Sequence, residues 1–375
     1  MKTFTPLTRR RFIGQLSIAT AAALSLPRSL RAATSATSGK KLGIAFAGLG
    51  GYATHQLAPA IAETEHLRIA GVITGTASKG EQWRRKYDLP AGSVYSYETL
   101  DRVADNPEID IVYVVTPPGT HRDLVVRAAK AGKHVICEKP MATNVADCDA
   151  MIAACREAGK QLGIGYRLHY EPHHQMLDRL AADPQFGPFR KMQGGFGFRM
   201  PGGRPWRLNK QLAGGGPLPD VGIYVIQAAR RGAGGVWPVA VTAKEHPKTR
   251  PEVFTEVEET ITWTMEFPGG ATAEGWSSYN DQRNDFRAEN ADGRNWLEIG
   301  PAYTYGGLEG RTSRGAMDVR NINQQAAQLE DFARCVLENR ETPVGGEMGR
   351  RDIAVIEAIY ASAAAGGKRV EVPGL

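Results

Sequence analysis

The stretch Leu42-Gly43-Ile44-Ala45-Phe46-Ala47-Gly48-Leu49-Gly50-Gly51-Tyr52-Ala53 decides the fold. Its first six residues are uncharged and almost wholly apolar, and a run of that length bounded by glycine reads as a strand buried on both faces. The Gly-x-Gly-x-x-Ala that follows needs a strand before it and a helix after it, and this segment has both. Gly48 permits the tight turn, Gly50 lets the main chain approach a pyrophosphate, and Ala53 allows the helix to pack closely on the strand. The helix N-terminus then faces phosphate.

Outward from this turn, Leu67–Ile73, Ile111–Val115, His134–Cys137 and Leu162–Gly165 read as further buried strands. Amphipathic segments at Gly119–Ala131 and Asn144–Ala158 separate some of them. Strand-helix alternation predicts a parallel sheet with right-handed crossovers, an α/β Rossmann dinucleotide-binding domain over residues 41–165. From 166 to 345 the pattern changes to an α+β domain, with Phe189–Phe198, Thr260–Phe267, Ala271–Tyr279 and Trp296–Ile299 read as antiparallel strands. Residues 322–337 and 346–364 read as closing helices, with 346–375 returning to the first domain.

The end of the second strand bears on the cofactor. An NAD site places Asp or Glu there to bond the ribose hydroxyls. Here the segment is Thr74-Gly75-Thr76-Ala77-Ser78-Lys79, with no acid before Glu81. Hydroxyls and an ammonium suit a 2'-phosphate, so NADP is the expected cofactor, with Thr74, Gly75 and Lys79 at its phosphate.

The formal charge of +6 is concentrated at the start of the chain. Residues 1–32 hold Lys2, Arg9, Arg10, Arg11, Arg28 and Arg31 and no acid, leaving 40 basic against 40 acidic residues in the rest. A neutral body argues against a nucleic-acid footprint. Thr8-Arg9-Arg10-Arg11-Phe12-Ile13, the apolar run to Leu26, and Ala32-Ala33 have the layout of an export signal, with cleavage expected after Ala32 and a linker at 33–40. The arginine pair resembles the twin-arginine signal, which implies export of a folded protein to the periplasm. The run is short for a membrane span, so the mature form is expected off the membrane. Cys137, Cys148, Cys155 and Cys335 lack metal-ligand spacing and read as core residues, and no metal is expected.

Four segments remain: Glu138-Lys139-Pro140; Gly165-Tyr166-Arg167 with His169-Tyr170; Trp206-Arg207-Leu208 before Gly214-Gly215-Gly216; and Asp220-Val221-Gly222-Ile223-Tyr224. Oxidising a sugar hydroxyl requires a base. Tyr224 serves if a neighbouring Lys139 ammonium stabilises its phenolate, and Asp220, one helical turn earlier, shares its face. Singly, Lys139 also suits a surface cation, Asp220 a helix N-cap and Tyr224 a core aromatic.

In this order and with the nucleotide turn, the segments resemble the glucose-fructose oxidoreductase (Gfo/Idh/MocA) family over roughly residues 41–370, in particular its exported glucose-fructose and aldose-aldose branch. Most relatives carry His where Tyr224 stands. The resemblance implies Lys139, Asp220 and Tyr224 as catalytic residues that also touch the sugar. It implies Leu49, Gly51, Tyr52, Thr116, Pro117, His121, Glu138, Arg167, Trp206 and Arg207 as cofactor-lining. Tyr166, Tyr279, His173 and His174 become candidate sugar contacts, the histidine pair reading otherwise as an exposed helix start. The resemblance further implies an open-faced sheet through which a homodimer or homotetramer forms. The expected activity is a periplasmic enzyme with tightly bound NADP(H), oxidising an aldose at C1 to an aldonolactone and reducing a second sugar to an alditol. The family's glucose-fructose enzyme wraps its cofactor with a long arm, a feature without a counterpart in residues 33–40. An aldose 1-dehydrogenase with exchangeable NADP and a redox-assisted glycosidase are the alternatives.

Overall fold

The structure, a computed structural model, describes residues 41–203 and 205–374. The export signal and linker expected over 1–40 lie outside the described residues. Six strands form the first sheet: β1 (Leu42–Ala47), β2 (Leu67–Ile73), β3 (Val94–Tyr95), β4 (Ile111–Val114), β5 (His134–Cys137) and β6 (Leu162–Ile164). Their order is β3-β2-β1-β4-β5-β6, all parallel, the Rossmann arrangement. Ile44, Phe46 and Ala47 of β1 are fully buried, as a strand covered on both faces must be. At Gly48 φ is +103° and a side chain would meet the Val115 carbonyl oxygen at 2.8 Å, so glycine is required by conformation and by space.

The second sheet runs β14-β13-β12-β11-β7-β10-β9-β8-β15. Its strands are β7 (Lys191–Gly197), β8 (Ala240–Glu245), β9 (Thr260–Glu266), β10 (Thr272–Ser278), β11 (Arg283–Glu289), β12 (Trp296–Ile299), β13 (Gly310–Thr312), β14 (Gly315–Ala316) and β15 (Val370–Glu371). One pairing departs from the antiparallel expectation: β7 and β10 run parallel. The sequence reading missed β8 and β11. In β11 only Phe286 and Ala288 are buried among charged and polar neighbours, a pattern too polar to stand out.

Two assignments are corrected by packing. The helix Gln324–Leu337, placed in the second domain, lays Ala326, Leu329, Phe332 and Ala333 into the core of the first, against Ile44, Phe46 and Leu57. Glu330 on this helix accepts the main-chain N–H of Glu65 at 2.9 Å and of His66 at 3.2 Å, tying it to the turn before β2. The helix Gly346–Ala364 does return to the first domain, packing on the helix Val145–Glu157 and β6 as well as on β8, and only the tail departs from the expectation by adding β15 to the second sheet.

Candidate active site

At the C-terminal edge of the first sheet, the turns after β1 and β2 lie side by side, with Gly48 N–H donating to the Ile73 carbonyl at 3.0 Å. Side chains built at Gly50 or Gly51 would meet no protein atom within 4 Å. Among the described residues nothing fills that space, which leaves the main chain open to an approaching pyrophosphate. Beside them Thr74 is buried, and its Oγ1 accepts the Thr76 N–H at 3.2 Å at the start of the helix Ala77–Lys86. Lys79 is exposed in the first turn of that helix and makes no ion pair among the described residues. Glu81 does not compete for a ribose, because Arg84 and Arg85 bond its carboxylate and hold it at about 2. The donor set fits a dinucleotide carrying a 2'-phosphate. Lys79→Ala is expected to weaken NADP binding by about 1–3 kcal/mol and leave NAD nearly unchanged. Equal losses for the two cofactors in a binding titration would take Lys79 away from the phosphate.

From this edge a cleft of about 670 Å³ opens between the two sheets. Tyr52, Thr116, Pro118, Glu138 and Lys139 contribute from the first domain; Arg167, Phe196, Trp206, Arg207, Asp220, Tyr224 and Tyr303–Gly306 come from the second. Asp220 and Tyr224 share the cleft because a wide helical turn, Leu218–Gly222, runs straight into the helix Ile223–Gly232.

Lys139 donates through Nζ to the Asp220 main-chain carbonyl at 2.6 Å and lies 3.5 Å from Asp220 Oδ1. Arg207 Nε and the Tyr279 hydroxyl both donate to Asp220 Oδ2 at 2.8 Å. Burial alone would push the Asp220 carboxyl up, but the Lys139 and Arg207 charges and these bonds hold it at about 2. The Lys139 ammonium lies over the Tyr224 ring, 4.6 Å from its centroid, and the Arg167 guanidinium carbon lies 4.9 Å from the same centroid. Tyr303 stacks on Tyr224 at 6.0 Å and Phe196 tilts against it at 5.8 Å. Glu138 accepts from the Tyr113 hydroxyl at 2.6 Å and its carboxyl is raised by burial.

Several expected contacts fall elsewhere. Tyr166 is buried and its hydroxyl donates to Asp352, so it is no sugar contact. Tyr279 is fully buried, and its hydroxyl is used to hold Asp220. His121 is sealed behind the cleft with its ring nitrogens at the Thr116 and Met141 carbonyls, 2.8 and 3.1 Å away; it supports the loop rather than lining it. The Leu49 side chain lies in the core, which leaves its main chain to face the nucleotide turn, and Pro118 rather than Pro117 reaches the cleft wall. His173 and His174 are neither exposed nor sugar contacts: the first bonds Glu171 at 2.8 Å and the second the Ala302 carbonyl at 2.9 Å. Sequence reading also missed Phe196, Tyr303 and Tyr305, which no local motif marks.

Asp352, on the helix Gly346–Ala364, accepts from Tyr166 and Gln227, and burial pushes its carboxyl up to about 7 against those bonds. With its carboxyl at about 7 it holds its proton in the fold over the range between the two values, where the unfolded chain, at the ordinary 3.8, ionises. Its stabilising effect is therefore full below that value and is lost as pH rises toward the folded value. Relative to Asp352→Asn, the parent should lose on the order of 4 kcal/mol between pH 4 and 8 in urea unfolding. Parallel pH curves for the two proteins would contradict this.

Comparison with known proteins follows the same lines. A model of the oxidoreductase family with an NAD-binding Rossmann fold matches residues 42–166, and the GFO/IDH/MocA C-terminal domain matches residues 174–299. The chain belongs to the GFO/IDH/MocA oxidoreductase family. It is 30% identical to D-xylose 1-dehydrogenase (NADP(+)) 2 of Haloferax volcanii, over 85% of this chain and 96% of that protein. A D-xylose 1-dehydrogenase [NADP(+)] of Haloarcula marismortui is 27% identical over 84% and 89% of the two chains. Among solved structures, the aldose-aldose oxidoreductase from Caulobacter crescentus complexed with glycerol superposes with a TM-score of 0.85 at 45% identity, covering 88% of this chain and all (100%) of that one. Family membership makes the chain an oxidoreductase whose first domain is a dinucleotide-binding Rossmann fold.

Proposed function

We propose that the chain is an NADP-dependent sugar oxidoreductase that oxidises an aldose at C1 to an aldonolactone and reduces a second sugar to an alditol in the same cleft, with NADP(H) retained between the two. The observation that carries this is the placement of Tyr224, Lys139 and Asp220 in one cleft opening from the nucleotide turn. The likeness to the Caulobacter enzyme supports paired aldose chemistry, and the two haloarchaeal xylose dehydrogenases support NADP and oxidation at C1.

The residues have separable roles. Bound NADP supplies a hydride acceptor, and in its reduced form a hydride donor. Gly50, Gly51, Thr74 and Lys79 would hold it, and Arg167, whose Nε is buried with no partner among the described residues, lies at the cleft wall where it would meet it. Tyr224 takes the sugar hydroxyl proton while Lys139 and Arg167 against its ring stabilise the negative charge that develops there. Asp220 fixes Lys139 and Arg207. The donor sugar loses a hydride and a proton; the acceptor sugar gains both, the proton again through Tyr224. Phe196, Tyr303 and Trp206 exclude water around these steps.

Purified protein should carry NADP through dialysis. Glucose alone should raise the reduced-nicotinamide absorbance by one equivalent per site, and a second aldose should discharge it. Reduction only when NADP is added would overturn retention and favour a xylose-type dehydrogenase with exchangeable cofactor, the reading the haloarchaeal relatives support.

Export to the periplasm by the twin-arginine route belongs to this proposal. All four cysteines are buried and free, which suits a protein folded in a reducing compartment before transport. Arg9→Lys with Arg10→Lys is expected to leave active enzyme in the cytoplasm, and normal periplasmic accumulation would count against the route. A homodimer or homotetramer through the second sheet is the assembly we infer, since Thr262, Thr264, Gln193, Glu274 and Trp276 line a groove of about 400 Å³ on that sheet.

A further inference from the structure

The segment between β12 and β13 arches over the cleft. Asn284 Oδ1 accepts the main-chain N–H of Ala302 and of Tyr303, each at 2.8 Å. Arg167 donates to the Tyr303 carbonyl at 2.6 Å and the Thr304 carbonyl at 3.0 Å, and Gln324 Nε2 donates to the Thr304 carbonyl at 3.1 Å. The arch is thus pinned as far as Thr304 by the buried Arg167 and Gln324 and the half-buried Asn284, from three separate elements. On the far side Asn321 bonds both the N–H and the carbonyl of buried Leu308 at 2.9 Å, and between these two anchors Tyr305 is 48% exposed and is followed by Gly306 and by Gly307 at φ +70°.

The exposed ring nonetheless has a defined seat. It stacks on Tyr52 of the nucleotide turn, with centroids 5.8 Å apart and planes 27° from parallel, and the Arg167 guanidinium carbon lies 4.6 Å from its centroid. Tyr52 directly follows Gly50 and Gly51, where the protein leaves open space, and both tyrosines line the cleft. A ring carried by the second domain therefore bridges to the first, across the cleft that joins the phosphate turn to Tyr224.

We propose that Tyr305 is a latch: its stack on Tyr52 closes the cleft over a bound dinucleotide and sets how slowly NADP(H) leaves. The inference rests on the retained-cofactor reading and supplies its structural cause. The pinned stem keeps the arch in place while rotation of one half-exposed side chain opens or shuts it, so release is governed without disturbing Lys139, Asp220 or Tyr224. An aromatic pair backed by a cation gives way readily enough to allow loading during folding, yet slows each escape.

The test measures NADPH release from intact enzyme by nucleotide fluorescence after a chase with excess NADP, in the parent, Tyr305→Phe and Tyr305→Ala. Tyr305→Ala should release NADPH about tenfold faster or more, with an unchanged urea midpoint, and Tyr305→Phe should match the parent. Release from Tyr305→Ala at the parent rate would overturn the latch. So would a change confined to KM for the sugar, which would make Tyr305 a sugar platform. If the parent itself lost NADP on dialysis the retention reading would fail as well, so the two failures are told apart by the parent alone.

Discussion

Replacing Tyr224 by Phe is expected to slow reduction of bound NADP by glucose in a single turnover by about 10²–10⁴-fold, equivalent to roughly 3–5 kcal/mol of barrier. The substitution keeps the ring that stacks on Tyr303 and that faces Lys139 and Arg167, so packing and cofactor binding should survive. Only the group that takes and returns the proton is lost. The discharge of bound NADPH by a second aldose must slow by a similar factor, because the same phenol protonates the acceptor's alkoxide. A rate within a few-fold of the parent would make Tyr224 a packing residue and move the base to Lys139.

Asp220→Ala should cost both stability and rate. The carboxylate is the counter-charge of Lys139 and Arg207 and the acceptor of the Tyr279 hydroxyl, all in a largely buried cluster. Removing one member of a buried ion pair leaves its partner's charge uncompensated, a loss of about 3 kcal/mol or more. The pH dependence has a definite sign. A carboxyl held at about 2 against the ordinary 3.8 stabilises the fold above the higher value and loses that effect as pH falls toward the lower. The parent should therefore lose stability more steeply than Asp220→Ala between pH 4 and 2. Lys139 keeps its bond to the main-chain carbonyl of residue 220, but with its counter-charge and the acceptor that orients Arg207 gone, the rate of NADP reduction should fall by about 10²-fold or more. Asp220→Asn separates the effects, since it preserves volume but not charge. A urea midpoint for Asp220→Ala equal to the parent's, or an acid limb of the same slope, would show that the cluster is solvated rather than buried.

The two chemical centres were unequally legible. Gly48, Gly50 and Ala53 announce their role locally, because a tight turn, a bare main chain and a close helix contact each demand a small residue within six positions. Asp220 and Tyr224, one helical turn apart, were less legible, because singly they also suit an N-cap and a core aromatic and only the order of four distant segments set them apart. Tyr166 and Tyr279 were misread because nothing near them in sequence says where their hydroxyls go. Their partners are Asp352 and Asp220, 186 and 59 residues away. His173 and His174, whose polarity suggested an exposed helix start, and His121, expected at the cofactor, failed likewise, since only packing supplied the carbonyls and carboxylate that let imidazoles be buried.

The sequence by itself determined the parallel first sheet, the dinucleotide turn, and the preference for a phosphate-bearing ribose over one held by an acid, all of which depend on residues adjacent along the chain. The tertiary structure alone decided that the helix Gln324–Leu337 completes the first core, that two cations rather than one face the Tyr224 ring, and that Tyr305 meets Tyr52. Periodicity and turn chemistry act over a few residues and survive in the bare sequence, whereas burial and the pairing of charges arise only when distant segments pack.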